Sequence, residues 1–355
     1  MDRPLPQLTV PKSQPPPIAP HEARETGVLH DSHGRTIHDL RLSITDRCNF
    51  RCIYCMEPDD RFLPKRSLLS ATEYLRVVDA AMSLGVRKVR LTGGEPTLYP
   101  ALDSVIAELG RRDLDDVAMT TNGWKLDKHT AEQWRAAGLS RLTFSLDTLR
   151  EDRMTEISRS STTVTRVLQS IETARDAGFP RPKVNVVAMR GVNDDEFADF
   201  ADLARDRDLD VRFIEFMPLD SGRGWQPDRV VSESEVRASI EERHTLIAQG
   251  STNRHSTSSN YHFANSAPGR IGLVAPVTRP FCGACNRLRV TAEGAVRPCL
   301  FSNTEWDIRP ILRGGGTLRD LADFLVNATW TKQSGHGIGQ ADFKQPDRGM
   351  SAIGG

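Results

Sequence analysis

The chain has 355 residues, enough for one large domain or two ordinary ones, with 47 basic side chains balanced by 47 acidic ones. A formal net charge of zero gives no general attraction to nucleic acid or to a membrane surface, so any anion site has to be built locally and neither partner is expected. No stretch reaches the roughly 18 apolar residues of a membrane span and the N-terminus lacks the apolar core of a secretory signal, which predicts a cytoplasmic protein.

Residues 1–30 open with Pro4, Pro6, Pro11, Pro15, Pro16, Pro17 and Pro20 and show little apolar periodicity, so they read as a flexible tail. From 31 to 249, short β-rich runs alternate with amphipathic segments at the spacing of βα units. The predicted strands are 40–45, 86–92, 117–121, 141–147, 183–188 and 211–216. Helices are predicted over 71–84, 100–111, 128–137, 163–177 and 195–207, several of them ending at a glycine such as Gly85, Gly138 or Gly178. Six strands each followed by a helix predict an α/β fold, a partial (β/α)6 barrel of the TIM-like kind. Residues 250–268, rich in Ser, Asn and Thr, read as a loop leading into a C-terminal domain over 250–355. That domain is expected to hold a strand at 271–277, a hairpin within 286–300 turning at Glu293-Gly294, and a helix near 316–328.

All six cysteines fall into two triplets, Cys48, Cys52 and Cys55 as C-x3-C-x2-C and Cys282, Cys285 and Cys299 as C-x2-C-x13-C. A cubane iron-sulfur cluster takes four ligands, so a triplet leaves one iron open to something other than protein. Structural zinc is the competing reading, but zinc asks for four closed ligands and neither triplet has a histidine at the usual spacing. A disulfide framework is disfavoured because a chain of this length can build its own core.

Several predicted strands carry polar groups at alternating positions: Lys88, Arg90 and Thr92 on the second; Thr143, Ser145 and Asp147 on the fourth; Lys183 and Asn185 on the fifth. Facing the barrel interior, such charges need a ligand or a partner; facing outward, they are ordinary solvated groups. The first triplet lies just beyond the first strand, where barrels of this type place their chemistry. Gly93-Gly94-Glu95-Pro96 follows the second strand, and two residues without Cβ allow a ligand close to the backbone. Arg212 and Met217 are five apart, so both can face one site only if the strand ends before Met217 or bulges.

The C-x3-C-x2-C triplet with Tyr54 before its last cysteine, followed by Gly-Gly-Glu-Pro, resembles the radical S-adenosylmethionine (SAM) superfamily. The second triplet, its Cys285-Asn286-Arg287-Leu288-Arg289 context and the final Gly354-Gly355 narrow the resemblance to the GTP 3′,8-cyclase family of molybdenum cofactor biosynthesis, over about residues 34–355. The resemblance implies two 4Fe-4S clusters, one on Cys48, Cys52 and Cys55 that binds and cleaves SAM, the other on Cys282, Cys285 and Cys299 that touches the guanine base. It implies SAM contacts at Tyr54, Gly94, Ser145 and Met217, and GTP contacts at Arg41, Lys88, Arg90, Thr120, Lys183, Arg212, Arg287 and Arg289. Gly354 and Gly355 are implied to reach into the active site and assist catalysis. An electron donor such as flavodoxin or ferredoxin, and a downstream cyclic pyranopterin monophosphate synthase, are the implied partners. The sequence does not fix the oligomeric state, for which a homodimer is the commonest outcome.

Two other functions compete. A peptide-modifying maturase of the same superfamily would be expected to carry more auxiliary cysteines and a leader-binding domain. An iron-sulfur electron carrier would need neither Gly-Gly-Glu-Pro nor a six-strand barrel.

Overall fold

The computed structural model describes residues 14–250 and 254–354. Six parallel strands, β1 (Asp39–Ser43), β2 (Lys88–Thr92), β3 (Asp116–Thr121), β4 (Arg141–Ser145), β5 (Lys183–Ala188) and β6 (Asp210–Glu215), pair in sequence order. Between them run α2 (Ala71–Ser83), α3 (Leu102–Gly110), α4 (Lys128–Ala136), α5 (Glu151–Ser158), α6 (Val164–Asp176) and α7 (Phe197–Asp206); a short α1 (His21–Glu25) precedes β1. The expected (β/α)6 partial barrel is present, with strand ends within two residues of their predicted positions.

Each strand alternates between two environments. Leu40 and Leu42, Val89 and Leu91, Leu142 and Phe144, Val184 and Val186 all turn away from the barrel interior into the core under the helices. Arg41, Arg90, Thr120, Thr143, Ser145, Asn185 and Arg212 take the opposite face and line one cavity. The barrel therefore has a polar lumen, which decides between the two orientations that the alternation allowed.

The C-terminal third continues this sheet on both sides. β7 (Leu246–Gln249), β8 (Ser259–Phe263) and β9 (Arg270–Val274) follow α8 (Glu233–Glu241), and β9 pairs parallel to β6. β10 (Arg287–Val290) pairs parallel to β1 at the other edge and turns back into β11 (Ala295–Arg297), which pairs with β12 (Trp306–Asp307). The chain then forms α9 (Arg309–Arg313), α10 (Leu318–Trp330) and a final turn, α11 (Met350–Ile353). One twelve-stranded sheet results, so the division expected at 249/250 is one of sequence order and not a break in the sheet. The segment 250–268, expected as a loop, contains β8: Tyr261 and Phe263 are buried against the core, and apolar alternation outweighs the polar composition around them.

Part of the expected tail is also packed. Residues 1–13 lie outside the described residues, but Ala19, Ala23 and Leu29 are buried, and the Ala19 amide donates to Asn327 Oδ1 at 2.9 Å. A few small apolar side chains suffice to dock this segment onto α10, since burying one Leu contributes about 1.5–3 kcal/mol. The capping boxes Ser70/Glu73, Ser232/Glu235 and Thr317/Asp320 set the starts of α2, α8 and α10.

Candidate active site

One cavity at the C-terminal ends of the strands is lined by all six cysteines, so residues far apart in sequence form a single site. The first triplet sits in the loop after β1. The Arg51 and Ile53 amides donate to Ser158 and Ile157 at the end of α5, at 2.8 and 3.0 Å. The Phe50 amide points at Cys48 Sγ, at 3.4 Å. On the other side the Gly94 amide donates to Thr45 at 2.8 Å and the Glu95 amide to Arg47 at 2.7 Å. A Cβ at Gly93 would lie 2.5 Å from the Thr45 carbonyl oxygen, and one at Gly94 would overlap the Arg47 carbonyl. The paired glycines thus exist first to let the triplet loop lie on this turn, with ligand access a second consequence. Glu95 is buried and accepts from Thr97, Thr121 and the Asn122 amide, the last at 2.7 Å; burial raises its pKa.

Burial pushes the Cys48 thiol up to about 11 and the Cys55 thiol up to about 12, and it raises Cys52 well above its ordinary value. The three thiolates also disfavour one another, Cys55 and Cys48 both raising Cys52. Bare, this triplet stays protonated; a cation bound among the sulfurs removes that cost. In the second triplet burial again raises Cys282, whereas for Cys285 the burial cost is outweighed by Arg287 and Lys332, which bring it to about 6. Among the described residues no three His, Cys, Asp or Glu side chains converge closely enough to hold a single metal ion. Thiolate donors in threes suit a cubane cluster with one open iron, whereas structural zinc asks for four closed ligands.

Between the triplets lies a row of guanidinium groups set by strand register. Arg289 of β10 stands beside Arg41 of β1, and Arg41 beside Arg90 of β2. Burial lowers the pKa of each, Arg90 to about 9, and the neighbouring arginines lower it further. Arg90 Nη1 donates to Thr120 Oγ1 and Thr143 Oγ1 at 3.2 and 3.3 Å. The Nε groups of Arg41, Arg90 and Arg287 are buried with no hydrogen-bond partner. Like charges desolvated together, with donors unspent, suit the binding of a polyanion.

Tyr54, Gly94, Ser145 and Met217 line the same cavity toward the first triplet. Tyr54 Oη donates to Asp147 Oδ2 at 2.7 Å, and burial raises Asp147 to about 6. β6 ends at Glu215, so Met217 lies beyond the strand and reaches the cavity together with Arg212. Lys88 and Lys183 are not cavity-lining residues. Lys183 pairs with Asp210 at 2.8 Å, Asp210 also holds Arg212, and burial lowers Lys183 to about 8. Both lysines share the inward face but sit at the N-terminal starts of β2 and β5, below the cavity. Gly354 is placed in the site: its carbonyl accepts from Arg289 Nη1 at 2.6 Å, and a Cβ there would lie 2.8 Å from Thr92 Oγ1. Gly355 falls outside the described residues.

Sequence reasoning missed Asn122, whose amide group donates to Asn49 at 2.9 Å, and Lys332, whose Nζ donates to the Arg287 carbonyl at 2.9 Å. Neither belongs to a spacing pattern; only tertiary packing brings them to the cavity.

Residues 42–204 match the radical SAM superfamily, and residues 209–338 match the family described as Molybdenum Cofactor Synthesis C. A GTP 3′,8-cyclase from Streptomyces coelicolor is 43% identical over 331 residues, spanning 92% of this chain and 96% of its own. GTP 3′,8-cyclase 2 from Pseudomonas aeruginosa is 43% identical over 330 residues, spanning 92% and 98%. Among solved structures, SuiB of Streptococcus suis bound to S-adenosylmethionine aligns with a TM-score of 0.61 over 89% of this chain and 77% of its own. Native anSMEcpe with bound AdoMet aligns with a TM-score of 0.54 over 84% and 82%. At 14% and 13% identity these two are likenesses of fold.

Proposed function

The chain belongs to the GTP 3′,8-cyclase family, and from that premise we propose how its cavity carries the reaction. The protein is a radical SAM enzyme that cleaves SAM to a 5′-deoxyadenosyl radical and cyclises GTP to (8S)-3′,8-cyclo-7,8-dihydroguanosine 5′-triphosphate, the first step of molybdenum cofactor biosynthesis. A 4Fe-4S cluster on Cys48, Cys52 and Cys55 supplies, when bound, the electron for SAM cleavage.

The residues of the chain provide the rest. Tyr54, Gly94, Ser145 and Met217 enclose SAM beside the first triplet, with Asp147 fixing the Tyr54 ring through its hydroxyl. Arg41, Arg90 and Arg289 hold the triphosphate, the free Nε donors of Arg41 and Arg90 replacing part of its water shell; Thr120 orients Arg90, and Arg287, whose Nε is also free, extends the row toward the second triplet. Arguments from charge favour this assignment, since planar guanidinium forks match phosphate oxygens two at a time. Arg212 adds its charge to the cavity wall, and Lys88 and Lys183 support the field from below, Asp210 keeping Lys183 and Arg212 in place. Cys282, Cys285 and Cys299 would hold a second 4Fe-4S cluster, which would supply an iron site for orienting the guanine base. Gly354 and Gly355 assist catalysis at this site, where exclusion of water protects a carbon radical.

An electron donor of the flavodoxin or ferredoxin type, a cyclic pyranopterin monophosphate synthase acting on the product, a homodimeric assembly and a cytoplasmic location complete the reading. No helix among the described residues is long and apolar enough to cross a membrane.

The observation that carries the GTP assignment is the in-register row Arg289, Arg41 and Arg90, in which the Nε donors of Arg41 and Arg90 are unspent. The test is an anaerobic assay of the iron-reconstituted protein with SAM, GTP and a strong reductant, read by mass spectrometry. Cyclised GTP should appear, and deuterium at the ribose 3′ carbon should move into 5′-deoxyadenosine. Formation of 5′-deoxyadenosine without GTP turnover would reassign the substrate.

A further inference from the structure

The C-terminal segment crosses the cavity between the two triplets. The Gly349 Cα packs against the Cys55 carbonyl, so that a Cβ there would come within 2.9 Å of it, and the Met350 amide donates to the Leu219 carbonyl at 2.9 Å. Ile353 is buried against Leu219 and Phe301, and Gly354 ends on Arg289. Ordering a chain end costs conformational entropy at every residue, so something must fix it.

Two residues just before the crossing form ion pairs. Asp347 meets Arg223 at 2.8 Å, but both side chains are exposed and such a pair holds little. Arg348 is different. Its side chain is 10% exposed and bridges Glu293, itself 2% exposed, and Glu305, the latter at 2.7 Å. Glu305 also takes Arg297 at 2.6 Å, so two carboxylates and two guanidinium groups compensate one another away from water. Glu293 lies in the turn joining β10 to β11, the hairpin whose first strand carries Arg287 and Arg289. Arg348 thereby ties the segment to the same hairpin that its Gly354 carbonyl contacts, six residues later.

We propose that Arg348, clamped by Glu293 and Glu305, is the positioning residue that holds the C-terminal segment across the cavity and sets Gly354 against Arg289. The proposal rests on the reading that Gly354 and Gly355 act at the GTP site, and deepens it by naming what aims them.

The test uses full-length Arg348→Gln and Arg348→Lys, with a readout that needs no turnover. In substrate-free protein, amide hydrogen exchange over residues 349–354 should accelerate by about tenfold or more in Arg348→Gln, and less in Arg348→Lys, while the β10 and β11 amides stay at wild-type rates. In the loaded enzyme, Arg348→Gln should release more 5′-deoxyadenosine per cyclised GTP, matching a protein lacking Gly354 and Gly355, and combining the two changes should add nothing. Unchanged exchange over 349–354, or exchange raised equally through β10 and β11, overturns the proposal. If wild-type protein forms no cyclised GTP, the function reading fails, and the exchange measurement still decides whether Arg348 holds the segment.

Discussion

Replacing Arg90 with Met should make the substrate-free protein more stable while crippling its hold on GTP. Burial, then Arg41 and Arg141, bring Arg90 to about 9, well below its value in an unfolded chain. Keeping that charge buried beside like charges costs on the order of a few kcal/mol. The hydrogen bonds to Thr120 and Thr143 return about 1 kcal/mol each. A thioether of similar length fills the space, so about 1–3 kcal/mol should be gained, a melting-temperature rise of several degrees at about 2–4 °C per kcal/mol. The pH dependence has a definite sign. Arg90 binds its proton less tightly when folded, so it weakens the wild type fully below about 9 and less as the pH rises above that value; the variant lacks this slope. Losing a charge-assisted phosphate contact of about 1.5–3 kcal/mol should weaken GTP by roughly 10- to 150-fold. Calorimetric melting and equilibrium binding, both anaerobic, read the two effects. A melting temperature lowered by several degrees with GTP affinity unchanged would refute the reasoning and make Arg90 a structural residue.

Three further substitutions probe other parts of the site. Lys183→Met, which removes a group paired to Asp210 outside the cavity lining, should weaken GTP by less than about tenfold; a loss equal to that of Arg90→Met in the same titration would mean that Lys183 leaves Asp210 for substrate. Gly94→Ala drives a Cβ into the Arg47 and Asp46 carbonyls and should selectively empty the first triplet, halving the iron bound after reconstitution while the second triplet loads normally. Ala19→Asp places a carboxylate at a 2% exposed position under the N-terminal segment and should cost about 2–4 kcal/mol, read as a lower denaturant midpoint; no change would mean that the segment is not docked in solution.

Much of this was legible in the sequence because it depends on local periodicity. The six barrel strands and the helices after them follow from alternation, amphipathic spacing and caps such as Ser70 with Glu73. The two triplets and the Gly-Gly turn were equally local. What escaped depends on pairing between distant segments. Nothing around Arg289 announces that it will stand in register with Arg41, and nothing around Glu293 and Glu305 announces Arg348. Composition misled twice, at Ala19 to Leu29 and at β8, where two or three well-placed apolar side chains outweigh a proline- or serine-rich context. Lys88 and Lys183 show the limit of alternation itself, which gives the face of a strand but not the depth along it.

The pairing of β10 with β1 also bears on how the chain acquires its structure. β1 is among the first elements made, yet one of its edges waits for residues 287–290, at the far end of the sequence. Closing so long a loop is entropically slow, and until then the ribosome-bound chain carries an open, apolar strand edge. Such a nascent barrel is a natural client for chaperones. The same delay keeps the arginine row incomplete until β10 docks, because Arg289 arrives with that strand. Binding of a polyanion therefore reports on a long-range contact made late in synthesis, and a ligand present during refolding should favour the correctly joined sheet by mass action.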